Sequence, residues 1–379
     1  MEPRMNTDVE IKPVQSRPDL LRFIRVPWGV NAGDPHWVPP LIQDRQKLLD
    51  TAHNPFFKHN PSEFFLAYQN GQPVGRTAVF LNHQHNLLYG DQTGFFGFFD
   101  ALREPAAFEG LMGAAETWLR ARGCDRILGP VCPDTNKELG VLVDGLDAPP
   151  FFMLAHNPPY YDEMLRGLGY AKARDFYSYF LRTKDFIAGG KLARVAERVS
   201  KRYPIRLRGG NMKAFEAELQ IIGQIYNDAF AHHWGFVPMT PEEMQFLAAD
   251  LKLIVDPELV LIAEYAGEPA GFLLAVPNIN EVLIKIRDGR LFPFGWLTFL
   301  LNRRRIKGVR VLTVAVKQKY QAFGFGSLLY VEAYRRIVAR GYSHAEMSWV
   351  AEDNLMMNRA ARLMGGEIYK TYRMYQKEL

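Results

Sequence analysis

The stretch VLTVAVKQKYQAFGFGSLLYVEAYRRIVARG, residues 311–341, decides how the fold of this chain is interpreted. It begins as an apolar β-type run, passes through a Gln-x-x-Gly-x-Gly turn and continues with the period of an amphipathic helix. Such a turn presents backbone N–H groups at the positive end of a helix dipole, which binds phosphate groups. Gly324 and Gly326 allow the backbone to approach a ligand closely. The stretch therefore predicts a phosphate site.

The residues around the two glycines exclude the common nucleotide sites. A P-loop requires Lys-Ser/Thr after the glycines, and a Rossmann turn requires a third glycine and a later acid. Neither pattern is present in 321–341. We therefore expect the turn to hold a pyrophosphate without Mg²⁺ chemistry.

The elements around this turn occur twice along the chain. Residues 64–80, FFLAYQNGQPVGRTAVF, and 260–276, VLIAEYAGEPAGFLLAV, both read as a hairpin with a turn, a proline and a glycine. Each is followed by a strand, a helix ending at Arg-Gly, another strand, a short helix ending at Gly and a Tyr-rich strand. Strands and helices that alternate in one repeated order predict two α/β domains.

The segment between the two halves is basic. Residues 182–213 contain ten Lys/Arg and two acids, and KLARVAERVSKR within them is helix-like. Because aromatic residues do not alternate with these charges, we prefer a solvated linker helix to a nucleic-acid-binding arm. The predicted organisation is an N-terminal domain at 1–183, a basic linker helix at 184–204 and a C-terminal domain at 205–379.

Composition limits the environment. Of 379 residues, 48% are apolar and 23% charged, and the net charge is +5, which admits polyanionic partners without requiring them. Two cysteines are too few for a disulfide framework or a four-ligand metal site, and we expect no metal. The first residues lack an apolar core, and no run of about 18 apolar residues exists, so we expect a cytoplasmic protein.

The turn QAFGFG after a strand resembles the Q/R-x-x-G-x-G/A signature of the GNAT superfamily of acyl-CoA-dependent N-acyltransferases. The following strand ends in WVAEDN, and Asn354 precedes Gly365 at the family's spacing. The resemblance implies two tandem GNAT-like domains, each a mixed, mostly antiparallel twisted sheet flanked by helices. The first half lacks the signature, so it resembles a degenerate domain that shapes the acceptor site or is structural.

The resemblance also implies where acyl-CoA, the donor substrate, would bind. The backbone of Leu312, Val314 and Val316 would pair with the pantetheine arm, and Asn354 and Asn358 would lie near the thioester. The pyrophosphate would be held by the turn, whose residues are Gln321, Ala322, Phe323, Gly324, Phe325, Gly326 and Ser327. Many family members carry a helix tyrosine as the acid for the leaving thiolate, but Ala361 occupies that position here.

Acyl transfer to an amine needs alignment and the removal of one proton. Candidates for the proton-transfer groups are His232 and His233, which lie between helix and turn signals, and the strand-flanking acids Glu264 and Glu281. Glu346 and Glu352 flank a later strand in the same way. Tyr330 is our candidate for the acid, with Tyr372 and Tyr375 as alternatives. Surface or helix-capping roles explain the histidines equally well, and exposed strand acids are common.

Candidates for acceptor binding lie in proline-rich polar loops of the first half. Proline stiffens a loop, and stiff polar loops often build sites, although loop packing explains the same composition. We select His36 in DPHWVPP, His59 in HNPFFKHN, Asn136 in CPDTNKELG and Tyr160 in AHNPPYYDE.

Residues 283–307, LIKIRDGRLFPFGWLTFLLNRRRIK, form an insertion in the family pattern. Its apolar middle, which contains the substrate-binding candidate Trp296, is bounded by arginines. This composition suits peripheral contact with an anionic inner membrane, and a helix packed on the other domain is the alternative.

The whole chain resembles a bacterial two-domain GNAT-like group, to or near which bacterial ceramide synthases belong. The resemblance implies N-acylation of a lipid amine, such as a sphingoid base, by an acyl-CoA. The alternatives are N-acetylation of a small-molecule amine, an aminoacyl-tRNA-dependent ligase and a non-catalytic acyl-CoA or lipid-binding protein. We expect acyl-CoA and an amine as partners rather than nucleic acid.

Overall fold

The structure is a computed structural model that describes residues 8–134, 137–186 and 190–379. The chain forms two compact units. Of the described residues, unit 1 contains those within 1–175, 283–300 and 371–379, and unit 2 contains those within 176–282 and 301–370.

The elements of the first half follow one another as β1 (Val9–Pro13), α1 (Arg17–Val30), α2 (Ile42–Leu48), α3 (Pro55–His59), β2 (Ser62–Gln69), β3 (Gln72–Leu81), α4 (His83–Tyr89), β4 (Thr93–Ala101), α5 (Pro105–Arg120), β5 (Arg126–Gly129), β6 (Val131–Cys132), β7 (Glu138–Leu139), β8 (Val141–Asp144), α6 (Tyr161–Gly167) and β9 (Ala171–Arg182).

The second half continues with α7 (Lys191–Arg202), β10 (Ile205–Gly209), α8 (Phe215–Phe230), α9 (Pro241–Leu251), β11 (Val260–Tyr265), β12 (Glu268–Pro277), α10 (Asn280–Leu283), α11 (Gly295–Asn302), β13 (Gly308–Val316), α12 (Gln318–Gln321), α13 (Phe325–Ala339), β14 (His344–Ala351), α14 (Leu355–Leu363) and β15 (Glu367–Glu378).

The sheets of the two units have the same topology. In unit 1, β1, β2, β3 and β4 are antiparallel neighbours, β4 pairs with β5 in parallel, and β15 lies antiparallel to β5. In unit 2, β10, β11, β12 and β13 are antiparallel, β13 pairs with β14 in parallel, and β9 lies antiparallel to β14. The predicted fold class, two α/β domains with mixed, mostly antiparallel sheets, is confirmed.

The last strand of each sheet comes from the other half of the sequence. β9 follows the first-half helices, but its residues from Phe176 onward belong to unit 2, whereas β15 enters unit 1 at Thr371. The compact units therefore differ from the sequence division at 183 and 205, which remains a prediction. A hydrophobic periodicity shows that a strand exists but does not indicate which sheet it joins, because pairing is set by tertiary packing.

Unit 2 packs helices on both faces of its sheet. Side chains of α13, among them Leu329, Ala333 and Ile337, lie in one apolar cluster with strand residues such as Val309 and Val311. On the other face, Ile225 and Ala229 of α8 pack against Ile262, Phe272 and Ala315. In unit 1, α5 contributes Phe108, Leu111, Met112, Ala115 and Leu119 to the core. Both faces of unit 2's sheet are thus buried around β13.

Candidate functional site

The parallel strands β13 and β14 separate part-way along their length. Their ladder runs only from Gly308–His344 to Val311–Met347, although the strands continue to Val316 and Ala351. Leu312, Thr313 and Val314 are half-buried beyond that point. Within the described residues, no strand pairs with this edge of β13 past Val311. The opening therefore offers strand N–H and C=O groups to an extended ligand.

A β-bulge marks the point of separation on each strand. On β13, Leu274 is opposite Thr313 and Ala275 is opposite Val311, which leaves Leu312 as the extra residue. On β14, the register with β9 shifts between Met347 and Val350. A bulge bends its strand and increases the local twist, so two bulges at one level turn the strands apart.

The glycine turn lies at the far end of this opening. Gly324 caps α13 with φ of 81°, a left-handed conformation that favours glycine. Gln321 Nε2 donates to Val316 O at 3.2 Å, and Ser327 Oγ donates to Gly324 O at 2.7 Å. A Cβ on Gly326 would meet nothing within 4 Å. Ser327 N donates to Gly324 O at 3.0 Å, and the first turn of α13 carries the positive end of the helix dipole.

Helix α7 packs directly on this turn. A Cβ on Gly324 would lie 3.2 Å from Val199 Cγ2, and the ring of Tyr203 stacks on Phe323 with centroids 4.9 Å apart. At 100° per residue, the basic side chains of α7 lie together on one face of the helix, next to its apolar face. They are Lys191, Arg194, Arg198, Lys201 and Arg202. The predicted basic helix is α7, whose apolar side packs on the turn and whose exposed basic side favours an anionic ligand nearby.

Two curated bacterial proteins are similar to this chain over nearly its whole length. The bacterial ceramide synthase of Caulobacter vibrioides is 38% identical over 385 aligned positions, which span 99% of this chain and 98% of that protein. Protein YghO of Escherichia coli is 37% identical over 376, spanning 97% of this chain and 95% of that protein. No protein-family model matches the chain.

The tandem GNAT protein from the clavulanic acid biosynthesis pathway shares the fold. It superposes with a TM-score of 0.56 at 13% identity, and the match covers 98% of each chain. The chain has the tandem GNAT fold and belongs to the family of the bacterial ceramide synthase and YghO. The family resemblance inferred from the glycine turn is thereby confirmed.

In this GNAT-fold protein the predicted asparagines bond mainly to the backbone around α14. Asn354 Oδ1 accepts from Met357 N at 3.1 Å and caps α14. The buried Asn358 donates to Ala351 O and Asn354 O, each at 2.9 Å, and accepts from Tyr179 Oη at 2.6 Å. These contacts fix the end of β14 against α14, so both residues shape the rim of the opening.

His232 and His233 lie at the end of the sheet that leads into the glycine turn. Gln318 N, at the start of the turn, donates to Asp228 Oδ2 at 2.7 Å, which ties the last turn of α8 to β13. His232 and His233 follow that helix, and the ring of His233 packs on Phe230 with centroids 4.9 Å apart. Partial removal from water lowers the pKa of His233, while the nearby Asp353 carboxylate acts in the opposite direction. Asp353 directly precedes the cap residue of α14, so His233 lies near the rim of the opening.

The acids chosen from the sequence have other partners. Glu264 accepts from Arg208 Nε at 2.6 Å on the hairpin side of the sheet. Glu281 accepts from the backbone N of Lys307 at 2.9 Å and of Gly308 at 2.7 Å, at the start of β13. That point is about 26 Å along the strand from Val316. Both acids support strands in this structure.

The tyrosine candidates are separated. Tyr330 is buried in α13 and donates to Met357 Sδ at 3.3 Å, and burial raises its pKa. Tyr372 donates to Ala155 O at 3.1 Å, and Tyr375 bonds to Asp162, so both belong to unit 1. Tyr330 is therefore the one of these three that packs against α14.

The acceptor candidates that the structure describes lie in unit 1. His36 N donates to Asp34 Oδ1 at 2.8 Å, and the other Asp34 oxygen bonds to the buried His156, which sequence reasoning passed over. His59 is exposed at the end of α3. Tyr160 donates to Ala101 O at 2.9 Å, and burial raises its pKa to about 12. Trp296 donates to Pro293 O at 2.8 Å, and Asn136 lies outside the described residues.

A buried ionic cluster lies at the root of the opening. Arg310 on β13 pairs with Glu346 on β14, with Nε 3.3 Å from Oε2, and donates to Ser348 Oγ at 3.0 Å. Both side chains are buried, as is Lys370. Burial outweighs the attraction of Arg310 and raises the pKa of Glu346. The sequence analysis did not select Arg310. A signal was available, because Arg310 and Glu346 are each the third residue of their strand, and the repeated element order places the two strands side by side.

The corresponding opening in unit 1 is filled by the chain itself. The parallel ladder of β4 and β5 runs from Thr93–Arg126 to Phe95–Leu128 and ends there. Beyond them, a Cβ on Gly97 would lie 1.5 Å from Val131 O, and Phe98 N donates to Cys132 Sγ at 3.3 Å. Helix α5 begins at Pro105, which lacks an N–H, after Glu104. Residues 129–132 therefore occupy the space that is open in unit 2.

The described ranges contain no group of three or more His, Cys, Asp or Glu side chains that could hold a metal ion. In the same ranges, no helix has both the length and the apolar character needed to cross a membrane.

The buried pair generates a prediction about stability. Replacing Arg310 with Met removes the cation that is paired with the buried Glu346 carboxylate, so we expect a loss of about 3–5 kcal/mol at neutral pH. Removing the cation raises the pKa of Glu346 further, so at mildly acidic pH the folded protein carries a neutral carboxyl and the loss shrinks. Urea unfolding at the two pH values measures this difference.

The matched control is Arg335→Met, because Arg335 is exposed and 3.9 Å from Glu332. That substitution should change the free energy of unfolding by less than about 1 kcal/mol. An equal loss for Arg310→Met at both pH values would show that the cation does not act through Glu346.

Proposed function

We propose that this GNAT protein is an N-acyltransferase that uses acyl-CoA and acylates a lipid amine, such as a sphingoid base. One observation carries the donor assignment: the free edge of β13 leads directly to a glycine turn at the start of a long helix. An unpaired edge suits the extended pantetheine arm, and the turn suits the pyrophosphate. The basic face of α7 favours the charge of the same ligand.

The lipid acceptor is supported by two separate observations. A relative that is 38% identical over the whole chain carries the name bacterial ceramide synthase. In addition, the insertion at 283–307 exposes large apolar side chains, which suits a protein whose substrate partitions into lipid. The filled opening of unit 1 supports a single donor site, in unit 2, and a first half without its own cofactor.

The reaction needs few groups from the protein. The neutral amine nitrogen attacks the thioester carbonyl, the C–S bond breaks, the thiolate of CoA leaves and takes a proton, and the nitrogen loses one. We assign the base to His233, because its lowered pKa keeps the imidazole neutral near pH 7 and Asp353 stabilises the cation that it forms. His232, Glu264 and Glu281 are the other predicted bases, and Tyr330 is the predicted acid for the thiolate.

The donor site is tested by introducing a carboxylate into the turn. In Gly326→Glu the new side chain enters open space and places a negative charge where the pyrophosphate would bind. Titration calorimetry with palmitoyl-CoA and acetyl-CoA should show binding by the wild type and a loss of at least about 100-fold in the variant, because an anion excludes another at close range. Tighter binding of palmitoyl-CoA would favour a long-chain donor.

The matched control is Gly113→Glu in α5, since a Cβ there also meets nothing within 4 Å. It should bind acyl-CoA like the wild type. If neither thioester binds the wild type, the acyl-CoA proposal is wrong. If acetyl-CoA is preferred, small-molecule acetylation replaces the lipid acceptor, and mass spectrometry with a sphingoid base or a small amine identifies the product.

The role of His233 predicts a pH profile. Wild-type kcat/KM should decline as the pH falls below the ordinary imidazole pKa of 6.5, because protonation removes the base. His233→Gln should lose about 10²–10⁴-fold in kcat and also lose this acidic limb, while acyl-CoA binding is retained. His232→Gln is the control and should keep the limb. If His233→Gln keeps the acidic limb of the pH profile, the base is another residue.

A further inference from the structure

The insertion carries a concentrated exposed apolar surface. Six large side chains between residues 292 and 301 are 41–75% exposed, and Phe292 and Phe294 exceed 70%. The other four are Trp296, Leu297, Leu300 and Leu301. We call residues 290–305 the tip segment. A soluble domain rarely leaves so many neighbouring apolar side chains in water without a partner for them.

The tip segment extends from an anchored base. Trp28 Nε1 donates to Arg287 O at 2.8 Å, and Ile42 N donates to Gly289 O at 2.9 Å. Arg287 in turn donates to Trp37 O at 3.1 Å. A Cβ on Gly289 would lie 2.5 Å from the Trp28 ring, so the insertion and the segment around Trp28 approach each other closely. The exposed side chains are therefore held at a defined position rather than on a free loop.

The exposed side chains lie on one side of α11. None of its residues is fully buried, and the half-buried Gly295, Thr298, Phe299 and Asn302 mark the inner side. Trp296, Leu297, Leu300 and Leu301 lie on the remaining arc at 100° per residue. This arrangement argues against the alternative of a helix packed into a core. With eight residues, α11 is also shorter than the roughly 20 that a membrane span requires.

Charge identifies the kind of surface that would cover the tip segment. Exposed Arg303, Arg304 and Arg305 form one 3₁₀ turn directly after α11. Residues 285–307 contain seven Lys/Arg and one acid, Asp288, whose carboxylate accepts from Arg290 N at 3.1 Å. A protein partner with a matching apolar patch would not require this excess, whereas anionic lipid headgroups beside acyl chains match both parts. Trp296 also suits the headgroup level.

We propose that the tip segment docks the protein on the surface of an anionic bilayer, with the apolar side chains among the acyl chains and the arginines at the headgroups. The contact does not depend on acyl-CoA. Its failure would therefore leave the donor-site proposal standing.

Co-sedimentation with phosphatidylcholine vesicles, with and without phosphatidylglycerol, tests the proposal. The wild type should bind the anionic vesicles and lose binding as salt rises. Arg303→Glu/Arg304→Glu/Arg305→Glu should bind at least about tenfold more weakly, since each cation near such a surface attracts the anionic headgroups. Phe292→Ser/Phe294→Ser/Leu297→Ser should show a similar loss. The emission of Trp296 should shift to shorter wavelength on binding, and Trp296→Phe should remove that shift.

Matched controls separate this surface from others. Leu253→Ser removes an exposed leucine of another region, and Lys213→Glu/Lys252→Glu/Arg335→Glu reverses three exposed cations outside 285–307. The leucine control should bind like the wild type, and the charge control should bind better than the arginine variant. The proposal is overturned if the wild type ignores anionic vesicles, or if tip and control variants bind equally. It is also overturned if the tip variants only abolish self-association, which would make a second copy the partner.

Discussion

The early end of the β13–β14 ladder is the constraint on which the candidate site depends. Four residue pairs hold the strands in parallel, and past Val311 the edge of β13 has no strand beside it in the described chain. An exposed strand edge of this kind is normally a liability, because it invites pairing with any extended chain. Here the bulges at Leu312 and near Met347 keep the gap open, and the ionic pair of Arg310 and Glu346 closes its root. A ligand that supplies strand-like hydrogen bonds can therefore enter at this point.

Unit 1 shows how the same topology loses the opening. Its strands β4 and β5 repeat the parallel step, but glycine at position 97 lets the backbone of Val131 approach β4 closely. The chain thus satisfies the free edge itself. Its helix α5 starts with an acid and a proline, which remove one donor and add negative charge where unit 2 has glycines. At this parallel step, these two local features distinguish unit 1 from unit 2 on the same sheet topology.

Local patterns predicted the elements well, because each element is set by near neighbours. The QAFGFG turn needs a left-handed Gly324, and the amphipathic period after it continues for the whole of α13, so both were readable from 311–341. The repeated hairpins at 64–80 and 260–276 were predicted for the same reason, since β2–β3 and β11–β12 form at those positions. The family signature then led to a fold that the comparison with tandem GNAT structures confirms.

Pairings between residues that are far apart in the sequence could not be predicted from local patterns. No local pattern shows that β9 and β15 each enter the sheet of the other half, because a Tyr-rich alternating strand would fit either sheet. The charge count of the basic segment 184–204 predicted a solvated helix but did not show that its apolar stripe, with Val195 and Val199, packs α7 on the glycine turn. Arg310 and Glu346 are ordinary strand charges until the parallel register brings them together in the core. Charge counted along a sequence shows how much is present, whereas register decides which charges meet. The ionic pair at the root of this site therefore becomes visible only when the partner strand of each residue is known.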